Sequence, residues 1–101
     1  MTSTDPYDVR LAPVAARAYR KLDEPVRARI RAGLEKVAAD IAVPGRVGGK
    51  AVKTIQGSGD SFHRLRVGDY RVMYDVLAED RVLLVLGIVH RGDLERWLRN
   101  R

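Results

Sequence analysis

The sequence predicts an α+β fold: an N-terminal two-helix hairpin packs on a mostly antiparallel, four-stranded sheet, and a short helix ends the chain. Apolar residues recur at four-residue spacing in the first half, as in amphipathic helices. Short β-rich runs separated by turn residues follow in the second half. The chain has 101 residues, of which 46% are hydrophobic, so residues 1–101 are expected to form one domain with its own core.

A strand and two helices are expected first. Residues Tyr7–Leu11 alternate as in a strand, and Pro13 begins a helix with an apolar stripe of Val14, Ala18 and Leu22. Asp23-Glu24-Pro25 interrupts the stripe and starts a second helix, with an acid at the cap and proline in the first turn. The buried face of that helix comprises Val26, Ile30, Leu34, Val37, Ala38 and Ile41.

Strands dominate the rest of the chain. Loops over residues 44–49 and 56–60 flank a short strand, Lys50–Ile55. Strands Phe62–Val67 and Tyr70–Leu77 are joined by Gly68-Asp69, a loop typical of a type II′ hairpin. The apolar run Val82–Val89 suits a central strand, and Gly92-Asp93 is expected to cap a final helix, Leu94–Arg99.

Composition narrows the function classes. The chain has no cysteine, which excludes disulfides, thiolate metal sites and thiol nucleophiles and favours a reducing compartment. The N terminus, MTSTDPYDVR, lacks the apolar segment of a signal peptide, and the longest apolar run is too short to span a bilayer. We therefore expect a soluble, cytoplasmic protein with no membrane partner. No cluster of metal-ligating residues stands out, so no metal or other cofactor is expected.

Positive charge is concentrated in one part of the chain. The formal net charge is +6. Residues 46–71 hold six Lys/Arg against two Asp, whereas residues 72–90 hold one Arg against three acids. This distribution indicates a polyanionic partner, either nucleic acid or an acidic protein.

The predicted hairpin places like charges opposite each other. A two-residue loop aligns Arg66 with Arg71, and strand alternation puts Phe62, Arg64 and both of these arginines on one face. Like charges directly opposite destabilise a sheet by up to about 1 kcal/mol. An anion over this face would explain them, and guanidinium groups bind phosphate in bidentate fashion. The alternative is that the arginines extend into water at little cost.

Other residues are candidates for the same surface. Arg91 reaches it if the central strand pairs beside Tyr70–Leu77, and Lys50 and Lys53 lie in or near a glycine-bearing loop. Phe62 and Trp97 are candidates to stack on unpaired bases, although Trp97 suits a packing anchor equally well.

The two histidines are given structural roles. His63 falls on the apolar face beside Leu65, and His90 alternates with Ile88, Leu86 and Leu84. No paired carboxylates and no serine-elbow motif stand out. Acid–base chemistry on RNA can still be carried out by basic groups with perturbed pKa values. Crowded cations lower each other's pKa and stabilise a pentavalent phosphate, the 2′-hydroxyl is the nucleophile, and no metal is needed.

The stretches YDVRLAPVAARAYRKL, FHRLRVGDYRVMYDV and IVHRGDL together resemble the RelE/ParE superfamily of toxins from bacterial type II toxin–antitoxin modules, the RelE branch more than the ParE branch. The resemblance implies a ribosome-dependent, metal-independent endoribonuclease that cuts mRNA in the decoding site. Attack by the 2′-hydroxyl would leave a cyclic phosphate and a 5′-hydroxyl.

The resemblance also implies roles for individual residues. Arg71 matches the arginine that grips the scissile phosphate, and Arg91 one at the leaving group or phosphate. Arg64 matches a basic position of the family's active face and is a candidate catalytic residue, and Arg66 matches a further basic position nearby. Many relatives carry a tyrosine where this chain has Glu95, others where it has Trp97, and often a lysine where it has Phe62. Glu95 is therefore a candidate base, and equally a candidate for a helix-surface salt bridge.

The partners implied are a cognate antitoxin with an acidic, partly disordered segment, mRNA in the ribosomal decoding site, and operator DNA only through the antitoxin. The antitoxin would cover the basic face or displace the C-terminal helix. Two alternatives stay open: a ParE-like DNA gyrase inhibitor without nuclease chemistry, and a catalytically silent partner that binds the antitoxin within an autoregulatory complex.

Overall fold

The computed structural model describes residues 4–43, 52–55 and 62–100. In chain order the elements are β1 (Asp8–Leu11), α1 (Pro13–Arg20), α2 (Glu24–Ile41), β2 (Val52–Ile55), β3 (Phe62–Val67), β4 (Tyr70–Leu77), β5 (Val82–His90), one turn of 3-10 helix (Arg91–Asp93) and α3 (Leu94–Arg99). These bounds lie within two residues of those predicted.

The strands form one sheet in the order β1-β5-β4-β3-β2. Neighbouring strands are antiparallel except for β1, which runs parallel to β5. The predicted α+β class is confirmed. The sheet contains five strands instead of the four predicted, because β1 and β2 both join it, one at each edge.

The helical hairpin packs on one face of this sheet, as predicted. Buried residues of α1 and α2 meet buried sheet residues in one cluster: Ala15, Ile30, Leu34, Val37, Ala38, Leu65, Val72, Tyr74, Leu83, Val85 and Ile88. Val14 departs from its predicted place in the buried stripe, since it is 54% exposed. Ala15 is the core residue of α1 instead, and it lies at helical spacing with Ala18, Tyr19 and Leu22, which pack against the same core.

The β3–β4 hairpin has the predicted register, with Val67 opposite Tyr70 and Arg66 opposite Arg71. Gly68 has a φ of +56°, whereas Asp69 is not among the residues with positive φ. A type II′ turn requires a positive φ at its first central residue alone, and glycine adopts it without steric cost.

Strand β5 contains a β-bulge that sequence alternation does not reveal. Met73 pairs with Gly87 but Tyr74 pairs with Val85, so Leu86 is an extra residue. Leu83 and Val85 face the core before the bulge, and Ile88 faces it after the bulge. Gly87 consequently lies on the outer face, which we define as the side of the sheet away from α1 and α2. The bulge also breaks the alternation that grouped His90 with Leu84.

None of the helices in the described part of the chain combines the length and the apolar character that crossing a bilayer requires.

Candidate nucleic-acid interface

Three arginines of the β3–β4 hairpin share the outer face. Leu65 faces the core, so its sequence neighbours Arg64 and Arg66 face outward. Arg71 lies opposite Arg66 in the register and therefore on the same side of the sheet. The predicted opposition of like charges is confirmed.

A fourth arginine arrives from the end of β5. Tyr70 pairs with His90, so the next residue, Arg91, leaves the sheet beside the β3–β4 turn. Its backbone N–H donates to the Asp69 carbonyl at 2.7 Å, and its Nε lies 3.7 Å from Asp69 Oδ1. Both side chains are exposed, so this ion pair contributes at most about 1 kcal/mol. The ion pair matters for position more than for stability, because it keeps the side chain of Arg91 at the tip of the β3–β4 hairpin.

Arg71 lies at the centre of this group. Partial burial lowers the pKa of its guanidinium. Three nearby cations lower that pKa further: Arg64, Arg66 and Arg91. The carboxylate of Asp69 raises it. Arginine stays protonated at neutral pH despite such a shift, so the four side chains form a compact set of positive charges. We call Arg64, Arg66, Arg71 and Arg91 the arginine cluster.

The guanidinium of Arg71 is oriented by the turn beside it. Its Nη1 donates to the carbonyl oxygens of Gly68 and Tyr70, both at 3.0 Å. Within the described residues, its Nε and Nη2 have no hydrogen-bond partner. Arg71 is thus held by one nitrogen and presents two donors, the arrangement that binds a phosphate in bidentate fashion.

Arg29 of α2 extends the basic surface around the hairpin tip. Its Nη1 lies 3.9 Å from the position that a Cβ atom on Gly68 would occupy, although the sequence suggested only a solvated helix surface. In the described ranges Arg29 has neither an ion pair nor a side-chain hydrogen bond. Its 39-residue separation from Gly68 in sequence explains why no local pattern indicated it.

The two aromatic candidates pack against each other. Phe62 is only 3% exposed, and the ring centroids of Phe62 and Trp97 are 5.7 Å apart in an edge-to-face arrangement. Trp97 also covers Gly87. Stacking of Phe62 on a base, as the sequence suggested, does not fit this conformation, because α3 occupies the space over the ring. Trp97 fits its other predicted role, that of a packing anchor.

Comparison with known proteins identifies the family. The family model of the ParE toxin of the type II toxin–antitoxin system matches residues 9–95. The chain belongs to this toxin family. A search of curated protein sequences found no match.

Solved structures of RelE toxins share the fold of this toxin. The RelBE2 toxin–antitoxin complex of Mycobacterium tuberculosis is similar with a TM-score of 0.70 and 21% identity, over 92% of this chain and 100% of that one. The RelE–RelB complex of Pyrococcus horikoshii has a TM-score of 0.66 and 28% identity, over 91% and 98%. A free arginine-to-alanine double mutant of Escherichia coli RelE has a TM-score of 0.59 and 20% identity, over 91% and 90%. The resemblance to the RelE/ParE superfamily is thereby confirmed.

The remaining predicted site residues of the toxin are Lys50, Lys53 and Glu95. Lys53 in β2 is the register partner of Arg64, and Lys50 lies outside the described residues. Glu95 is exposed in the first turn of α3, and within the described chain it has no ion pair or hydrogen bond. The salt bridge considered for Glu95 is therefore not formed with any described residue.

Both histidines of the toxin have structural contacts. His63 stacks on Tyr74 with ring centroids 5.2 Å apart. His90 Nδ1 accepts a hydrogen bond from the Gly92 N–H at 3.1 Å, so His90 caps the 3-10 turn. Asp93 occupies the N-cap position of α3, as predicted, but its side chain makes no capping hydrogen bond. Asp93 instead pairs with Arg96 at 2.5 Å.

The arginine cluster lies on an open surface. Neither of two clefts in the described part of the toxin is lined by any of its four members. Small ligands bind in concave, mostly apolar pockets, whereas a polymer can lie along a charged surface. The geometry therefore favours an extended polyanion over a small molecule.

Proposed function

We propose that the toxin is a ribosome-dependent, metal-independent endoribonuclease that cleaves mRNA. The observation that supports this most strongly is the convergence of Arg64, Arg66 and Arg91 on Arg71, whose pKa they lower. Four cations gathered on the β3–β4 hairpin and at the end of β5 repel one another and do not stabilise the fold, whereas they suit the binding of a phosphodiester.

In the proposed reaction the 2′-oxygen forms a bond to the adjacent phosphorus, and the bond from phosphorus to the 5′-oxygen breaks. The leaving 5′-oxygen takes up a proton from solvent, so the products are a cyclic phosphate and a 5′-hydroxyl. Negative charge builds on the phosphate oxygens in the transition state, and preorganised cations stabilise that charge. Arg71 would bind the scissile phosphate through Nε and Nη2, and Arg91 would lie toward the leaving oxygen. Arg64 would stabilise the charge on the same phosphate, and Arg66 would bind a neighbouring phosphate.

Glu95 is proposed as the group that accepts the 2′-hydroxyl proton. It lies four residues after Arg91, in the position where many relatives carry a tyrosine, and it is exposed. A carboxylate can accept a proton as a general base in place of a tyrosine. Lys50, Lys53 and Arg66 are proposed to bind the RNA backbone.

Primer extension on mRNA translated in a purified system tests the function. We expect codon-aligned cuts with the wild-type toxin, and cuts about 100-fold slower with Arg71→Ala, as when one transition-state donor is removed. Arg17→Ala is the matched control, because Arg17 is an exposed arginine of α1 without an ion pair in the described residues. Glu95→Gln should slow cleavage while RNA binding is retained. Uncut mRNA at saturating toxin would refute the proposal.

A second candidate is DNA gyrase inhibition. The match to the ParE family model and the absence of the usual tyrosine at Glu95 favour it, while the arginine cluster favours the nuclease. Trapped gyrase–DNA complexes together with intact mRNA would establish this second function. A toxin that binds its antitoxin but gives neither result would be the catalytically silent partner.

The proposed partners follow from the same surface. Two of the solved structures described above are complexes with a RelB antitoxin. We propose that a cognate antitoxin neutralises this toxin with an acidic, partly disordered segment laid over the arginine cluster, and that operator DNA is reached only through the antitoxin. A ribosome-dependent nuclease would act in the cytoplasm.

A further inference from the structure

Trp97 fits a recess on the outer face that only glycine allows. A Cβ atom on Gly87 would lie within 2.7 Å of three indole atoms, Nε1, Cε2 and Cζ2. Real Cβ atoms essentially never come that close to another heavy atom, and the opposing atoms belong to a rigid ring. Any side chain at Gly87 would therefore force Trp97 out of this position.

The β-bulge creates the recess. Without the extra residue Leu86, alternation would turn Gly87 to the core side along with Leu83 and Val85. Bulges commonly re-aim side chains next to functional sites. Here the bulge turns Gly87, the single glycine of β5, toward α3. The edge of the Phe62 ring completes the contact with Trp97.

Helix α3 depends on this contact for its place. It has six residues, too few for an isolated helix to be stable in water, so packing must hold it. It follows the 3-10 turn that begins with Arg91, and it carries Glu95 in its first turn. The position of α3 is thus coupled through two residues of backbone to a member of the arginine cluster.

We propose that Trp97, seated on Gly87, is a positioning residue that keeps α3 in place and thereby holds Arg91 at the tip of the β3–β4 hairpin and Glu95 at the start of α3. This inference rests on the proposed nuclease function and deepens it. It assigns a role to Gly87, and it replaces base stacking as the role of Trp97. The two roles of Trp97 make opposite predictions for Gly87→Ala, which leaves the indole intact but removes its seat.

The experiment uses the toxin's single tryptophan as a local probe of α3. In Gly87→Ala the emission of Trp97 should shift to the red and its quenching by acrylamide should rise. The kcat for mRNA cleavage should fall by about 10- to 100-fold, as for small misplacements of catalytic groups, while KM changes less than about threefold. If Trp97 stacked on RNA, freeing the indole would leave kcat unchanged and would maintain or lower KM.

Two further variants keep the result interpretable. Gly33→Ala is the matched control, because the added methyl group would meet Leu65 and Val67 on the core side at 3.3 and 3.4 Å, away from α3. Trp97→Phe retains a smaller ring at the seat and should lose less activity than Trp97→Ala. An unshifted emission and a normal kcat in Gly87→Ala would overturn the proposal. If the wild-type toxin cleaves no mRNA, the nuclease function fails, whereas the emission shift still decides whether Trp97 is seated on Gly87.

Discussion

Replacing Arg66 with glutamine should stabilise the folded toxin and weaken its RNA binding. Arg66 lies directly opposite Arg71 and is exposed, and within the described residues it has no ion pair or hydrogen bond. Glutamine keeps much of the side chain's length and removes its charge. The substitution therefore removes a repulsion and almost no attractive contact.

The expected gain follows from the direct opposition of Arg66 and Arg71 in the strand register. Like charges directly opposite in a sheet cost up to about 1 kcal/mol, and two unit charges taken about 7 Å apart repel in water by about 0.6 kcal/mol. Arg66→Gln should thus raise the free energy of unfolding by about 0.5–1 kcal/mol at low salt. For a domain of this size, that corresponds to an increase of about 2–6 °C in melting temperature.

Thermal and urea denaturation at low and high salt would measure the effect. The gain should shrink in about 1 M salt, where the Debye length is about 3 Å. Arg17→Gln controls for any gain in stability that comes only from lowering the net charge of +6, since Arg17 is exposed on α1 and lies outside the β3–β4 hairpin. A loss of stability in Arg66→Gln, or an equal gain in Arg17→Gln, would show that the cluster is not strained by its own charge.

Two other predictions concern the edge of the basic surface and the core. If RNA follows the surface around the Gly68 turn, Arg29→Ala should remove one phosphate contact. The slope of log affinity against log salt concentration should then fall by about 0.7, the value for one contact with single-stranded nucleic acid. The control, Arg17→Ala, should leave the slope unchanged. Burial raises the pKa of Tyr74 to about 12. Its pKa in the unfolded chain is about 10, so between pH 10 and 12 the unfolded chain releases a proton that the folded toxin retains, and stability falls as pH rises. Tyr74→Phe should flatten this fall in urea denaturation, and an unchanged pH dependence would contradict the assigned burial.

If Arg66→Gln stabilises the fold and weakens RNA binding, the arginine cluster is a functional site that lowers the stability of the toxin. Functional sites commonly reduce stability in this way. Arg66 is the best member for that test. The side chain of Arg71 donates hydrogen bonds to the turn and that of Arg91 pairs with Asp69, so the loss of these contacts would mask the electrostatic gain.

Much of the architecture could be predicted from local pattern. Four-residue apolar spacing located both hairpin helices, and Gly68-Asp69 set the register that places Arg66 opposite Arg71, because a two-residue turn allows only one alignment. The charge imbalance of residues 46–71 likewise indicated a basic surface before any contact was known.

Other features depend on residues that are distant in sequence. The bulge at Leu86 reflects how β5 accommodates its neighbours, and it reverses the facing of Gly87 without altering the apolar composition of the strand. The burial of Phe62 and the approach of Arg29 to Gly68 require α3 and α2 to be in place. Local pattern reports which side chains a strand carries and how they alternate. Long-range packing decides which neighbours each side chain contacts, because the free energy that favours one arrangement comes from contacts between helices and strands that are distant in sequence.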